Sequence, residues 1–139
     1  MPADHEGLDA LYQRYCDAVD RRDGPALAEL FEPDARFANG DSSAVGRDAI
    51  VALLAPSTPR PAGSSRRRHR VGPVDVADAG PERARSSARF LFVAEGDGGL
   101  RAGAGRYVDI VARSAGVWRF VERSVELDIP VATVALLEP

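Results

Sequence analysis

The stretch that decides the fold is QRYCDAVDRRDGPALAELFEPDARF, residues 13–37. Its first part extends a series of apolar side chains at three- and four-residue spacing, which predicts an amphipathic helix over residues 7–19. Asp23 is a favourable N-cap and the proline two residues later suits a first turn, so a second short helix is predicted over residues 25–31. Residues 35–38 alternate apolar and polar side chains, as a strand does. The chain therefore begins as helix, helix, strand.

Two polar side chains, Tyr15 and Asp20, lie near the face of the first helix that should be apolar. Burying a polar group without a partner costs free energy, so both need an explanation. A small-molecule pocket lined by this helix is one explanation. The alternatives are a core tyrosine with its hydroxyl at the rim, and an aspartate paired with Arg21, Arg22 or Arg106.

Length, charge and cysteine content narrow the class of protein. The chain of 139 residues and 14.8 kDa is the size of one domain, expected to span residues 1–139 with terminal segments 1–6 and 130–139. A net charge of −3 and a pI of about 5.4 argue against a nucleic-acid or membrane partner. One cysteine and two histidines without metal-ligand spacing predict no disulfide, no metal and no cofactor. Without an apolar leader or membrane-spanning run, the expected location is the cytoplasm.

The rest of the chain is predicted to hold one more helix and a series of strands. Turn-forming sequences separate four segments, so neighbouring strands should pair antiparallel. The proline-rich stretch 55–65 is predicted to be a mobile loop or one packed over an opening. The apolar tail 130–139 should cover a pocket mouth or lie in a subunit interface. The fold class is α+β, with helices on one face of a curved sheet. The predicted helix covers residues 47–54, and the strands cover 69–77, 83–95, 101–113 and 117–128.

The order of these features resembles one known family, the SnoaL-like group of the nuclear transport factor 2-like superfamily. The resemblance implies a curved antiparallel sheet wrapped around three N-terminal helices, forming a cone with an interior pocket for a small hydrophobic metabolite, and it implies a homodimer. The same scaffold hosts isomerases, dehydratases, cyclases and non-catalytic subunits, so it does not fix the function. The residues that carry it are Gln13-Arg14-Tyr15, Asp20, Asp23, Leu30-Phe31, Asp34-Ala35, Phe37, Gly46-Arg47-Asp48-Ala49-Ile50, Arg68-His69, Gly105-Arg106-Tyr107 and Gly116-Val117-Trp118-Arg119-Phe120.

Tyr15 and Asp109 resemble the two hydrogen-bond donors of ketosteroid isomerases, a tyrosine and a protonated aspartic acid. The resemblance implies that both donate to an enolate oxygen, and a carboxyl group in an apolar interior can stay neutral. A change of register by one residue would turn Asp109 to the opposite face. The general base of those isomerases should fall at Asn39, whose amide cannot accept a proton at neutral pH. Simple ketosteroid isomerisation is therefore disfavoured.

Asp20 and His69 resemble the aspartate and histidine paired in scytalone dehydratase, where the carboxylate orients and charges the imidazole for proton transfer. Residues 117–120 resemble the final strand of that enzyme. Its second histidine has no counterpart here, because the other histidine of this chain, His5, lies near the N-terminus. The alternative for His69 is a solvated strand-edge residue within the basic run 66–70.

The leading hypothesis is a small cofactor-independent enzyme of secondary metabolism that cyclises, dehydrates or isomerises a polyketide-like apolar substrate. A cavity that only folds a polyene for a pericyclic ring closure would need no acid or base. A non-catalytic binding or accessory protein for a hydrophobic metabolite is the alternative from another class. The predicted catalytic residues are Asp20, His69 and Tyr15, and substrate binding is assigned to Asn39, Tyr107, Asp109 and Trp118, with core packing as the alternative for Trp118.

Overall fold

A computed structural model describes residues 4–55, 66–96 and 99–134, and these residues form three helices packed against one curved, seven-stranded sheet. The predicted α+β class is confirmed. The helices are α1 (His5–Arg21), α2 (Gly24–Glu29) and α3 (Arg47–Leu54). The strands are β1 (Phe31–Asn39), β2 (Ser42–Val45), β3 (Arg67–Val71), β4 (Asp75–Ala79), β5 (Arg83–Gly96), β6 (Gly99–Ser114) and β7 (Val117–Val134).

The helix boundaries follow from local capping. Asp4 caps α1 by accepting a hydrogen bond from the backbone N–H of Gly7, and the helix ends where Arg22 adopts a left-handed conformation. Asp23 caps α2 as predicted, with its side chain accepting from the backbone N–H of Ala26. The prediction that α2 continues to residue 31 is wrong. Phe31 instead begins β1, because it pairs with Phe120 of β7 and is fully buried against that ring.

The sheet has the strand order β2-β1-β7-β6-β5-β3, with β4 also pairing with β5. The consecutive strands β5, β6 and β7 form antiparallel hairpins as predicted. The β1–β7 pair is parallel, which departs from the expected all-antiparallel sheet and is possible because most of the chain separates the two strands. The single strand predicted over residues 69–77 is two strands, interrupted at Pro73, whose missing N–H cannot take part in a ladder.

The sheet bends where β6 passes Gly103 and Gly105. The register between β6 and β7 shifts on both sides of Ala104, which marks a bulge in this glycine-rich segment. A Cβ atom at Gly105 would lie 2.1 Å from the backbone oxygen of Glu126. The two strands can approach this closely only because position 105 has no side chain.

The core lies between the apolar face of α1 and the inner face of the sheet. Burying one large apolar side chain contributes about 1.5–3 kcal/mol relative to leaving it exposed, so this layer is the main source of stability. No helix among the described residues is both long enough and apolar enough to cross a membrane. The core side chains of α1 and the sheet include Leu8, Leu11, Tyr12, Tyr15, Val19, Phe31, Phe37, Phe90, Tyr107, Val111 and Phe120.

Two further predictions concern the loop 55–65 and the tail 130–139, and both segments lie partly outside the described residues. Residues 56–65 and 135–139 lie outside the described residues, so the predicted loop and the last part of the predicted tail are not described. The first part of the tail continues β7 to Val134 instead of leaving the sheet.

We predict that Gly105→Ala lowers the free energy of unfolding by about 1–3 kcal/mol, because the added methyl group must displace backbone. Urea denaturation followed by circular dichroism measures the change. Gly72→Ala is the control, since its Cβ would lie at an ordinary 3.7 Å from the nearest atom, and its effect should stay within about 0.5 kcal/mol. Equal effects of the two substitutions would contradict this account of the bend.

Candidate active site

Asp20 and His69 form the central contact of the candidate site. Asp20 lies near the C-terminal end of α1, and His69 is in the middle of β3. One carboxylate oxygen accepts from the backbone N–H of His69 at 2.8 Å, and the other lies 2.6 Å from His69 Nδ1. The two side chains are only 9% and 15% exposed. Because the carboxylate holds Nδ1, the other ring nitrogen, Nε2, is the atom placed to exchange protons with a ligand.

His69 also packs against an aromatic wall. Its ring stacks on Phe92, with the ring centroids 5.3 Å apart and an interplanar angle of 18°. The two residues are direct partners in the β3–β5 ladder, and Phe90 lies on the same face of β5. Stacking fixes the plane of the imidazole, while Asp20 fixes its rotation, so the ring is held in one orientation.

A cavity of about 270 Å³ opens next to this ring. Its walls come from α1, α3 and strands β1, β3, β5, β6 and β7, and most of the lining side chains are aliphatic or aromatic. Such an apolar space with a few convergent polar groups is the usual form of a small-molecule site. The polar lining residues are Tyr15, Asn39, Arg67, His69 and Tyr107.

The cavity therefore brings together four of the seven site residues predicted from the sequence, and a fifth, Asp20, bonds to His69. Tyr15 precedes Asp20 by about one and a half helical turns on α1, and Asn39 is the last residue of β1, at the exposed rim. Burial raises the pKa of Tyr15 to about 12, although the charge of Arg123 opposes the rise. Burial also raises the pKa of Tyr107 well above its usual value. Both phenols are hydrogen-bond donors at neutral pH.

Arg67 is a cavity residue that the sequence analysis did not single out. Strand alternation turns Arg67 and His69 inward and leaves Arg68 and Arg70 exposed. The Arg67 guanidinium donates to the carbonyl oxygen of Val19 at the end of α1 and so braces the helix next to Asp20. The signal that could have found Arg67 is strand alternation within the basic run 66–70. Residues two positions apart lie on the same face of a strand, so Arg67 shares a face with His69.

A buried arginine, Arg123, lies beneath the cavity and was also missed. It is 0% exposed, and its guanidinium carbon lies 3.9–4.6 Å from the ring centroids of Tyr12, Tyr15, Tyr107 and Phe120. Such cation–π contacts are strongest where water is excluded. Strict alternation from Trp118 and Phe120 would have turned position 123 outward. A shift in the β6–β7 register at Val121 reverses the alternation and turns Arg123 into the core.

Two predicted binding residues lie elsewhere. Asp109 faces inward as predicted, but it accepts two hydrogen bonds of 2.8 Å from Arg123 and one from the hydroxyl of Tyr12, below the cavity floor. Trp118 donates from Nε1 to Asp4 at 2.9 Å, at the opposite end of α1 from Asp20. Neither residue lines the cavity. The polar contacts that Asp109 makes are those of an ionised carboxylate, since its oxygens accept from Arg123 and Tyr12.

Within residues 4–55, 66–96 and 99–134, no three side chains of His, Cys, Asp or Glu come close enough together to hold a metal ion. Cys16 is buried in α1, and burial raises the pKa of its thiol to about 11. The chemistry that the described cavity offers is therefore that of one imidazole, one carboxylate, two phenols, one amide and one guanidinium.

Comparison with known proteins places the chain in a family. The SnoaL-like domain family matches residues 3–124. The chain belongs to this family. The predicted resemblance and fold are thus confirmed. No curated protein matches the chain significantly.

Several solved structures share the fold of this SnoaL-like protein. A candidate scytalone dehydratase from Novosphingobium aromaticivorans is 18% identical, with a TM-score of 0.80 over 95% of this chain and 88% of the other. A type 2 hexachlorocyclohexane dehydrochlorinase, LinA, is 18% identical, with a TM-score of 0.80 over 95% and 89%. ActVI-ORFA from Streptomyces coelicolor is 21% identical, with a TM-score of 0.75 over 88% and 96%. At these identities the likeness is one of fold.

The Trp118–Asp4 contact predicts a pH-dependent stability. The hydrogen bond from Trp118 is the largest cause that lowers the pKa of Asp4 below its ordinary 3.8. A carboxyl group with a lowered folded-state pKa contributes stability above its unfolded pKa and loses it as the pH falls through the folded value. Trp118→Phe should therefore destabilise the protein less at pH 3 than at pH 7. Urea denaturation at both pH values measures this. In an Asp4→Asn background the pH dependence of the Trp118→Phe effect should vanish, and its persistence there would refute the assignment.

Proposed function

We propose that this SnoaL-like protein is a cofactor-independent enzyme in which the Asp20–His69 pair moves a proton on a small apolar substrate. The reaction is a cyclisation, dehydration or isomerisation of a compact polyketide-like compound of secondary metabolism. The observation that carries the proposal is an imidazole fixed by a carboxylate and by stacking at the wall of an apolar cavity. An imidazole so held is suited to act as a general base and then as a general acid.

The proposed mechanism assigns a role to each polar lining residue. His69 Nε2 takes a proton from a carbon of the substrate, and Asp20 stabilises the imidazolium that forms. The electron pair of the broken C–H bond moves toward a carbonyl oxygen, which accepts a hydrogen bond from Tyr15. The proton is then returned to a leaving hydroxyl in a dehydration, or to another carbon in an isomerisation. Tyr107, Asn39 and Arg67 orient the polar end of the substrate.

Two further observations support this class of reaction. The cavity of about 270 Å³ is close to the lower end of the roughly 300–1,000 Å³ typical of ligand pockets, which favours a compact ring system over a long chain. Two of the proteins with the same fold are named for eliminations, a dehydratase and a dehydrochlorinase. An elimination begins with removal of a proton, the step assigned here to His69.

The test is catalysed exchange of carbon-bound hydrogen. Small cyclic ketones and hydroxyketones are incubated with the protein in D₂O, and deuterium incorporation is followed by mass spectrometry and NMR. We predict that His69→Ala lowers the exchange rate by about 10²–10⁴-fold, with a smaller loss for Asp20→Asn, because general acid–base catalysis contributes on that scale. Arg68→Ala is the matched control, since Arg68 neighbours His69 on the outward face of β3.

Wild-type exchange rates in both the His69 and Asp20 variants would remove the acid–base assignment. A pericyclic cyclase would give a different pattern, in which Tyr15→Phe and Asn39→Ala slow ring closure of a polyene substrate more than His69→Ala does. The two mechanisms are therefore separated by the order of the mutant effects.

A non-catalytic binding protein is the second candidate. It is favoured by Asn39, which the family resemblance puts at the position of an isomerase base and which cannot accept a proton, and by the single histidine at the described cavity. Mass spectrometry of pathway intermediates after incubation distinguishes the candidates, since a binder returns its ligand unchanged.

A homodimer formed through the outer face of the sheet is also proposed. Leu91 of β5 and Ile129 of β7 are 52% and 61% exposed and both pair with Ala104 of β6, one on each side of it. They border a depression of about 470 Å³ that also carries Arg89 and Asp128. A two-fold axis through this face would pair the apolar residues with each other and the arginine of one copy with the aspartate of the other.

Ile129→Asp should convert such a dimer to a monomer, because it places a charge in the apolar centre of the contact. Analytical ultracentrifugation measures the oligomeric state. Val117→Asp is the control, since Val117 is 43% exposed at the far end of β7. A monomeric wild-type protein would contradict the proposal.

A further inference from the structure

We propose that the buried Arg123–Asp109 pair is a positioning element that holds a positive charge behind Tyr15 and Tyr107, so that the cavity favours substrates whose carbonyl oxygen becomes negative during the reaction. The substrate class is thereby narrowed to enolisable ketones and 1,3-dicarbonyl compounds. This inference rests on the proposed proton abstraction, since removal of a proton next to a carbonyl group is what creates the negative oxygen.

An ion pair such as Arg123–Asp109 is unusual at the centre of a small hydrophobic core, because burying charges costs free energy. Arg123 and Asp109 are both fully buried at the level of their side chains. Replacement of a buried ion pair by apolar side chains of similar volume is often neutral or stabilising, so the pair is weak evidence for a stabilising role. A stabilising contact in this layer needs no charge, because four aromatic rings already surround the guanidinium. The charge itself is therefore the feature to be explained.

The pair has a definite direction relative to the cavity. The carboxylate of Asp109 also accepts from the hydroxyl of Tyr12, which bonds to Ser86. None of Asp109, Tyr12 and Ser86 lines the cavity, whereas Tyr15 and Tyr107 do. The rings of these two tyrosines lie 4.2 and 3.9 Å from the guanidinium carbon. The guanidinium is thus the end of the pair that contacts two cavity-lining rings, while its other two ring contacts, with Tyr12 and Phe120, lie away from the cavity.

One nitrogen of the guanidinium supports this direction. Nε and Nη2 both donate to Asp109, so Nη1 lies on the opposite edge of the planar group. Nη1 is buried and finds no acceptor among the described residues. An unsatisfied buried donor is costly in a structural ion pair. Asp109 therefore offsets the charge of the guanidinium along one edge of the group and not along the edge that carries Nη1.

The charge acts through the phenols and does not touch the substrate. When a C–H bond next to the carbonyl breaks, its proton goes to His69 Nε2, a carbon–carbon double bond forms, and the carbonyl oxygen becomes an enolate oxygen. That oxygen accepts a hydrogen bond from Tyr15. A fixed cation behind the phenol in a dry core strengthens this hydrogen bond as negative charge develops, without any rearrangement at the moment of reaction.

The test compares an anionic ligand with a neutral ligand of similar shape. 4-Nitrophenolate imitates an enolate, and nitrobenzene lacks the charged oxygen. The ratio of their dissociation constants, measured by absorbance titration and calorimetry, isolates the preference for negative charge from general packing. The wild-type protein should prefer the phenolate. Arg123→Met should lower this preference about tenfold, and Asp109→Asn should raise it by a similar factor, because it removes the negative end of the pair.

Matched controls separate charge from structure. Arg106 and Glu126 also face each other across β6 and β7, but their side chains are about half exposed. Arg106→Met should therefore leave the ratio unchanged. If Arg123→Met does not fold, as judged by circular dichroism, Asp109→Asn and Arg123→Lys decide the matter. The lysine variant should keep most of the preference. Asp109→Asn alone should increase the preference for the phenolate over nitrobenzene. This increase should be smaller when Asp109→Asn is combined with Tyr15→Phe.

Equal affinity of the wild-type protein for the two ligands, binding of neither, or parallel losses for both ligands in Arg123→Met and Asp109→Asn would overturn the inference. A purely structural ion pair would produce such parallel losses. The binding ratio needs no turnover, so it is independent of the hydrogen-exchange assay. Loss of exchange in His69→Ala without any phenolate preference would retain the proposed function and reject the role of Arg123.

Discussion

The contact between Asp20 and β3 is the constraint on which the candidate site depends. It ties the last turn of α1 to a strand at the edge of the sheet with two hydrogen bonds, one to the backbone and one to the side chain of His69. Because one carboxylate makes both bonds, the position of the helix and the orientation of the imidazole cannot change independently. Arg67 reinforces the same junction by donating to the carbonyl oxygen of Val19. The packing of α1 and the chemistry of the cavity are thus set by the same few atoms.

A second junction lies deeper, about two turns earlier on the helix, where Tyr12 bonds to Asp109 and Ser86. Helix α1 therefore meets β3, β5 and β6 through polar contacts as well as through apolar packing. Apolar packing supplies most of the free energy but tolerates small rotations and slides of a helix. Buried hydrogen bonds do not, because a misplaced donor or acceptor loses its partner and cannot find water. The polar groups of the core thus fix the geometry of the cavity to a degree that hydrocarbon alone would not.

The sequence was sufficient for the features that depend on local patterns. The three-and-four spacing predicted α1, Asp23 and Pro25 predicted the start of α2, and the glycine-rich turns predicted the antiparallel hairpins. The pairing of Asp20 with His69 came from resemblance to a known enzyme, since 49 residues separate them and no local signal joins them. The parallel pairing of β1 with β7 was missed for a similar reason, because it joins opposite ends of the chain.

The buried arginine shows a different limit. Its inward orientation depends on a register shift at Val121, and nothing in the residues around that position marks the extra residue. Asp109 was assigned to the correct face of β6, but its role could not be judged without its partner on β7. The face to which a strand residue turns is thus predictable only while the alternation is unbroken. A single bulge turns Arg123 from the solvent side into the centre of the core.

His69 lies on a strand that, within the described part of the chain, forms backbone ladder bonds with β5 alone. Such an edge opens more readily than the middle of a sheet, so the imidazole of His69 lies where local opening costs less free energy than it does at the sheet centre. A ligand bound in the cavity against His69 would bridge this edge to the interior and so oppose its opening. A bound ligand should then slow amide hydrogen exchange most strongly in β3, while the exchange rates at the centre of the sheet stay unchanged. Binding of a ligand in the cavity would thereby make the edge of the sheet more rigid.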